Sequence, residues 1–386
     1  MTMNVLTMFS RISCKKRLLL SLAAALVLAL PLAGGAADPD DVARAIAGME
    51  SRQEKAGGYG NEVAAAWNAY DGRIGRAMRR WACEELPPAD GATVFYPFAG
   101  PDLPTAVQLF PDAERYVLVA LQKAGRPPGI DSGPLPAAAL ESYLGEFRGN
   151  WKFYGTLGFF RTEDLEPFGM TGPLMALAAR LGYRIEFVEP IGLDASSGDM
   201  VTLADSPGSR WDSVRLTLRK GGRTSTVDYV YMDLSDGWLG QATQQTDRER
   251  AWIKSMAANP TLLKAASHLP QEPGFSILRT ALLENAPVIV QDESGIDYDA
   301  MAGAFTVQLY GRFTRVNSSF PAHLQSSLAA AYRSNGGAKP LPFAVGYEKS
   351  AGSALQVALR DPGGASRPAR SCAPPRASSS ARYRPR

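Results

Sequence analysis

Cysteine and histidine are nearly absent from this chain. Its 386 residues include three cysteines, Cys14, Cys83 and Cys372, and two histidines, His268 and His323. No Cys-x-x-Cys pair occurs, so a zinc site of the usual thiolate and imidazole ligands is not supported. Three cysteines are too few for a disulfide framework, and one bridge from Cys83 to Cys372 is the most that an exported form allows. Also missing are the G-x-S-x-G elbow of an α/β-hydrolase nucleophile, the H-E-x-x-H zinc helix and the P-loop lysine motif. No internal repeat is visible. Positive charge is missing where nucleic acid would need it. The formal charge is +3, but four positive charges lie in residues 1–37 and a net five in residues 361–386, which leaves the body at −6. A mildly acidic body has no means of neutralising phosphates, so no nucleic-acid partner is expected.

What is present starts at the N-terminus. Arg11, Lys15, Lys16 and Arg17 precede an apolar run from Leu18 to Leu32, then small residues from Ala33 to Ala37, then Asp38. That order is the pattern of a cleavable secretory signal peptide. The run is shorter than the roughly 20 residues of a membrane-spanning helix. The expectation is a signal peptide over 1–37, a periplasmic or secreted product and no transmembrane helix in the mature chain. With 45% apolar residues, that product has the means to bury a substantial core.

Four regions follow from the patterning. Residues 1–37 are the leader, and 38–88 a helical segment in which Val63, Trp67, Tyr70, Ile74, Met78 and Trp81 recur at steps of three and four. Asp71-Gly72 stands as an interruption, and Gly58-Tyr59-Gly60 reads as a linker. Residues 89–360 read as an α/β domain and 361–386, rich in Pro, Ser and Arg, as a disordered basic tail. Within the domain, Thr93–Phe98 and Tyr116–Leu121 are expected as buried strands around a helix at 103–110, a βαβ unit. Helices are expected at 135–147, 172 onward, 246–257 and 275–285, with an aromatic segment at 151–160. A strand at 184–188, an alternating strand at 214–219, the Gly221-Gly222 turn, and strands near 288–290, 305–310, 342–347 and 354–359 complete the pattern. The fold class expected is three-layer α/β: a mixed, mostly parallel sheet with an antiparallel portion, preceded by the helical segment.

Three strands end in polar, acid-bearing turns: at Asp102, at Asp233 and at Gln291-Asp292-Glu293-Ser294. Ligands in open α/β sheets sit beyond the carboxyl ends of parallel strands. Asp102, Asp292, Glu293, Ser294 and Tyr298 are therefore the candidates for chemistry, and Asp102, Asp233 and Asp292 the weaker candidates for a hard cation. Against each stands a structural role, since Asp and Ser cap helices and close turns. The further expectation is that Asp102 caps the helix after the first strand, and that it and the Asp292–Tyr298 turn face one cleft.

Two resemblances rest on specific residues. The strand–Gly–helix–strand layout from Thr93 to Gln122 resembles the nucleotide-binding βαβ unit of class I methyltransferases, which implies a Rossmann-like fold. The family's glycine-rich turn is here reduced to Gly100 before Pro101, and its ribose-holding acid is replaced by Gln122. The cofactor is therefore not carried over, and none is expected. The strings Phe95–Asp102, Gln291–Tyr298 and Leu309-Tyr310-Gly311 resemble a group of exported bacterial proteins with no activity to transfer. The expectation is an exported binding or non-catalytic domain for a small-molecule or envelope ligand. The alternative is a carboxylate-based or cation-dependent hydrolase acting on envelope material.

Overall fold

The computed structural model describes residues 37–51, 58–128, 169–205, 209–313, 315, 320, 322–334, 337–347 and 353–360. The leader through residue 36, the expected helix at 135–147, the aromatic segment at 151–160 and the basic tail lie outside the described residues.

The described chain enters through α1 (Pro39–Ile46), where Asp38 caps the first turn by accepting from the Asp40 N–H at 3.1 Å. Helices α2 (Gly58–Tyr70) and α3 (Arg76–Glu85) follow. The stripe from Val63 to Trp81 is buried throughout, as an apolar face of helical period requires. Asp71-Gly72 does not break the helix but widens it into one π-helical turn over Asp71–Gly75. Gly75 makes room for that turn, because a Cβ there would stand 2.5 Å from Asp71 Oδ1. Gly58-Tyr59-Gly60 is not a linker: it opens α2, where first-turn N–H groups lack intrahelical partners in any case.

The described strands form one mixed sheet. They are β1 (Thr93–Tyr96), β2 (Arg115–Ala120), β3 (Arg184–Leu193), β4 (Met200–Thr202), β5 (Ser213–Lys220), β6 (Arg223–Tyr231), β7 (Thr261–Leu263), β8 (Val288–Gln291), β9 (Thr306–Gly311), β10 (Ala338–Lys339) and β11 (Ala354–Leu359). Their order is β10-β9-β11-β8-β7-β1-β2-β6-β5-β3-β4. The middle run β8-β7-β1-β2-β6 is parallel. Antiparallel strands flank it, β5, β3 and β4 on one side and β11 on the other. Gly221 and Gly222, both at positive φ, make the tight β5–β6 hairpin that needs such residues.

Successive side chains of a strand point to opposite faces, and here each face has its own core. Val94, Tyr96, Tyr116, Leu118 and Tyr229 pack with α1 to α3, α4 (Leu103–Leu109) and α5 (Thr171–Arg180). Phe95, Val117, Val119, Val230 and Ile289 pack against α6 (Asp236–Leu239), α7 (Gln244–Ala257), α8 (Ser276–Asn285) and α9 (Tyr298–Ala304). The three-layer α/β architecture follows from that alternation. Helix α10 (Ser326–Arg333) lies beyond α9 in sequence.

Two segments differ from expectation. Residues 342–347 are not a strand, although Phe343, Val345 and Tyr347 are buried. Their backbone turns at Gly346, at φ +71°, where an added Cβ would collide with the Asp292 carboxylate. Strand β7, absent from the sequence reading, fills the position beside β1. Cys83 is disulfide-bonded, and both other cysteines lie outside the described residues. Among the described residues no helix is long and apolar enough to cross a membrane.

Candidate functional site

Chain order locates the crevice. From central β1 the sheet grows one way through β2 to β6 and the other way through β7 to β8. The β1/β7 boundary is thus a topological switch point, where loops diverge at the carboxyl edge and leave a crevice. A cleft of about 180 Å³ opens there. Phe98, Gly100 and Pro101 follow β1, Leu121 and Gln122 follow β2, and Asp233 and Leu234 follow β6. Ala265, Ala266 and Ser267 come from β7, with Leu269 and Phe275 closing the far wall. Phe98 and Phe275 meet edge to face at 5.6 Å. Leu121 stands 63% exposed at the rim.

Backbone strain concentrates around this cleft. Five described non-glycine residues have positive φ: Phe98, Ala265, Ser267, His268 and Gln325. Three of them line the cleft and His268 adjoins it. Each left-handed non-glycine residue costs roughly 1–3 kcal/mol and persists only when its surroundings over-determine it. Here the surroundings come from β8 and beyond. The Ala265 N–H donates to Asp292 Oδ2 at 2.7 Å, the Ala266 N–H to Ser294 Oγ at 2.7 Å, and the Ser267 N–H to the Tyr347 hydroxyl at 2.9 Å. Tyr347 in turn donates to the Ala265 carbonyl at 2.9 Å.

Those bonds decide the roles of the sequence-derived candidates. Asp292 is fully buried and accepts from the Ala265 N–H, the Ser294 N–H at 2.9 Å and the Ser294 hydroxyl at 2.6 Å. Burial holds its pKa above the ordinary carboxylate value, against those hydrogen bonds and the Lys264 charge. Ser294 has its hydroxyl proton on Asp292 and its lone pair on Ala266, so it is not poised as a nucleophile. Glu293 is 2% exposed, and its carbonyl accepts from Gln271 Nε2 at 3.2 Å. Tyr298 is half-buried at the start of α9, beside the N-cap Asp297.

Asp102 is 4% exposed and caps α4, accepting from the Thr105 N–H at 3.3 Å. Its Oδ2 accepts from Tyr96 at 2.9 Å and from Lys264 Nζ at 2.5 Å. Asp102 and the Asp292–Tyr298 turn therefore do not open on a common cleft: neither Asp102 nor Asp292 lines it, and both are closed inside by hydrogen bonds. Asp233 alone among the three acids lines the cleft and is exposed, with Oδ1 accepting from the Ser235 N–H at 2.8 Å. Among the described residues no group of three or more His, Cys, Asp or Glu side chains is placed to hold a metal. The cation site expected of Asp102, Asp233 and Asp292 is not formed, because a lysine already neutralises one acid and backbone N–H groups another.

Sequence reasoning missed Lys264, the Ala265–His268 turn and the hydroxyl of Tyr347. Lys264 carried no signal because the strand before it is three residues long and follows Asn259-Pro260. His268 is wholly buried and stacked on His323 at 4.5 Å, and among the described residues neither ring nitrogen has a hydrogen-bond partner of good geometry. Burial and the neighbouring imidazole push its pKa down to about 4. His323 keeps a 3.2 Å contact with Glu272.

Compared with protein-family models, curated proteins and solved structures, the chain matches none.

Proposed function

We propose that this chain is an exported binding protein that takes a small ligand in the cleft between the β1, β2, β6 and β7 ends. The observation that carries the reading is the placement of the strained backbone. Phe98, Ala265, Ser267 and His268 hold left-handed conformations at one edge of the sheet, and strain maintained in that way clusters at ligand clamps and active sites. The cleft walls are mostly apolar with a few polar groups at the rim, as in small-molecule sites generally. Its volume suits a modest ligand, since a cavity of about 150 Å³ already holds one benzene ring.

The hydrolase alternative is weaker on this geometry. Its acids and hydroxyl, Asp102, Asp292 and Ser294, are taken up by structural hydrogen bonds, and among the described residues Asp233 has no second carboxylate beside it in the cleft wall. Export rests on the Arg11–Asp38 pattern, and the periplasm or medium is the compartment proposed.

The test is a fragment screen on the mature chain, read by thermal shift and by amide chemical shifts. A ligand specific to the folded state raises the melting temperature. Shift changes are expected at residues 98–101, 119–122, 232–234 and 265–269, and Ala266→Phe is expected to block them. Hits that map elsewhere, or survive the blocking variant in folded protein, would overturn the assignment.

A further inference from the structure

We infer that the cleft selects a small organic cation, an apolar body of about one ring bearing an ammonium group, with Asp233 as its counter-charge. The inference rests on the cleft being the binding site.

Three observations lead there. First, the described cleft wall contains one charged side chain, Asp233, and no lysine or arginine. With Oδ1 on the Ser235 N–H, Asp233 Oδ2 is open to a ligand among the described residues. Lys123, close by on the chain, is directed to Asp212 at 2.9 Å, and Lys264 to Asp102.

Second, two helix N-termini at this edge that would attract an anion are already filled. Helix N-termini bind anions through their free N–H groups. At α4 that position is held by Asp102. At α8 it is held by Asp236, which accepts from Ser276 N–H at 2.9 Å and Ile277 N–H at 3.0 Å. Pro101 removes another N–H from the turn after β1. A phosphate or carboxylate entering here meets the Asp233 carboxylate, and at these two helix ends it finds N–H groups already bonded to an acid.

Third, the apolar wall is partly aromatic. Phe98 and Phe275 are half-buried and border the cleft, and aromatic faces attract cations within about 6 Å. A carboxylate and aromatic side chains in one wall are the complement of an ammonium group on a short apolar stem. The acidic body, at −6 between residues 38 and 360, favours approach of a cation over an anion.

The experiment uses the full mature chain and three matched probes: phenethylamine, 2-phenylethanol and 3-phenylpropionate. Their affinities are measured by calorimetry, and their positions by amide shifts. The amine is expected to bind at least about tenfold more tightly than the alcohol, since a charge-assisted hydrogen bond is roughly twice as strong as a neutral one. The anion is expected to be the weakest. Asp233→Asn, which keeps the acceptor for Ser235, should erase the preference for the amine over the alcohol. Equal binding of amine and anion, or a preference that survives Asp233→Asn, overturns the cation inference. If all three probes bind equally and Ala266→Phe removes them, the cleft stands and only the cation inference fails. If none shifts any cleft amide, both fail.

Discussion

Asp292 is best understood through its three donors. Asparagine would keep one acceptor and turn an N–H₂ toward a backbone N–H that now has a carboxylate, leaving a buried donor unsatisfied. Asp292→Asn is therefore expected to cost about 3 kcal/mol of stability, read by denaturant unfolding. A loss under about 1 kcal/mol would show that the turn does not depend on it. His268 supplies the pH dependence. Its folded pKa of about 4 lies below the ordinary 6.5, so the folded state binds fewer protons than the unfolded one between those values. Its contribution is then complete above about pH 6.5 and is lost as pH falls toward 4, by at most about 3 kcal/mol at 1.36 kcal/mol per unit. In His268→Asn, which suits a left-handed backbone, melting temperature should respond less to pH across that window. An unchanged slope would mean that other groups carry it.

At the scale of elements, the β1 and β7 ends are joined by one buried ion pair. Lys264 and Asp102 have side chains 9% and 4% exposed at 2.5 Å separation. Removing one partner strands the other charge, so Lys264→Met should destabilise by about 3–5 kcal/mol. The double variant Lys264→Met, Asp102→Asn should recover part of that loss, and no recovery would mean that the pair is not the cause. Elements with strong periodicity were legible in the sequence. The Val63–Trp81 stripe, the β5–β6 hairpin and the β1–α4–β2 unit fall where their patterns put them, and Asp102 caps α4 as expected of an acid before a helix. Strand β7 was not legible, because Thr261-Leu262-Leu263 is too short to show a period. Segment 342–347 looked like a strand because its apolar side chains are buried, but a glycine bend serves Asp292 instead. The cleft was half legible. Polar strand ends marked the right edge, yet which acids face solvent depended on Lys264, Ala265 and Tyr347, residues remote from them in sequence.

At the scale of the whole molecule, the mature N-terminus and the disulfide can be examined together. Asp38 caps α1, and Asp40 accepts from the Ile185 N–H at 3.0 Å, so cleavage before Asp38 leaves a capped, docked helix. Peptide mapping of exported protein without reductant should find a first residue at Ala37 or Asp38 and Cys83 linked to Cys372. Cys83 is bonded, and a cleaved leader would take Cys14 with it. A retained Met1 on membrane-bound material would overturn the export reading, and a free Cys83 thiol would overturn the linkage.

The strained turn has a consequence for the order of assembly. Every described residue lining the cleft lies between Phe98 and Phe275, whereas the groups that fix its left-handed turn are Asp292, Ser294 and Tyr347. A chain emerging from the N-terminus thus carries the full set of cleft walls before it carries the groups that set their shape. Long-range contacts of this kind form late, since loop closure must precede them. The described cleft walls are all in the chain by residue 275, but they take their shape only when the segment from β8 onward has folded onto them. A chain truncated before β8 would hold the walls of the cleft without the groups that set their shape.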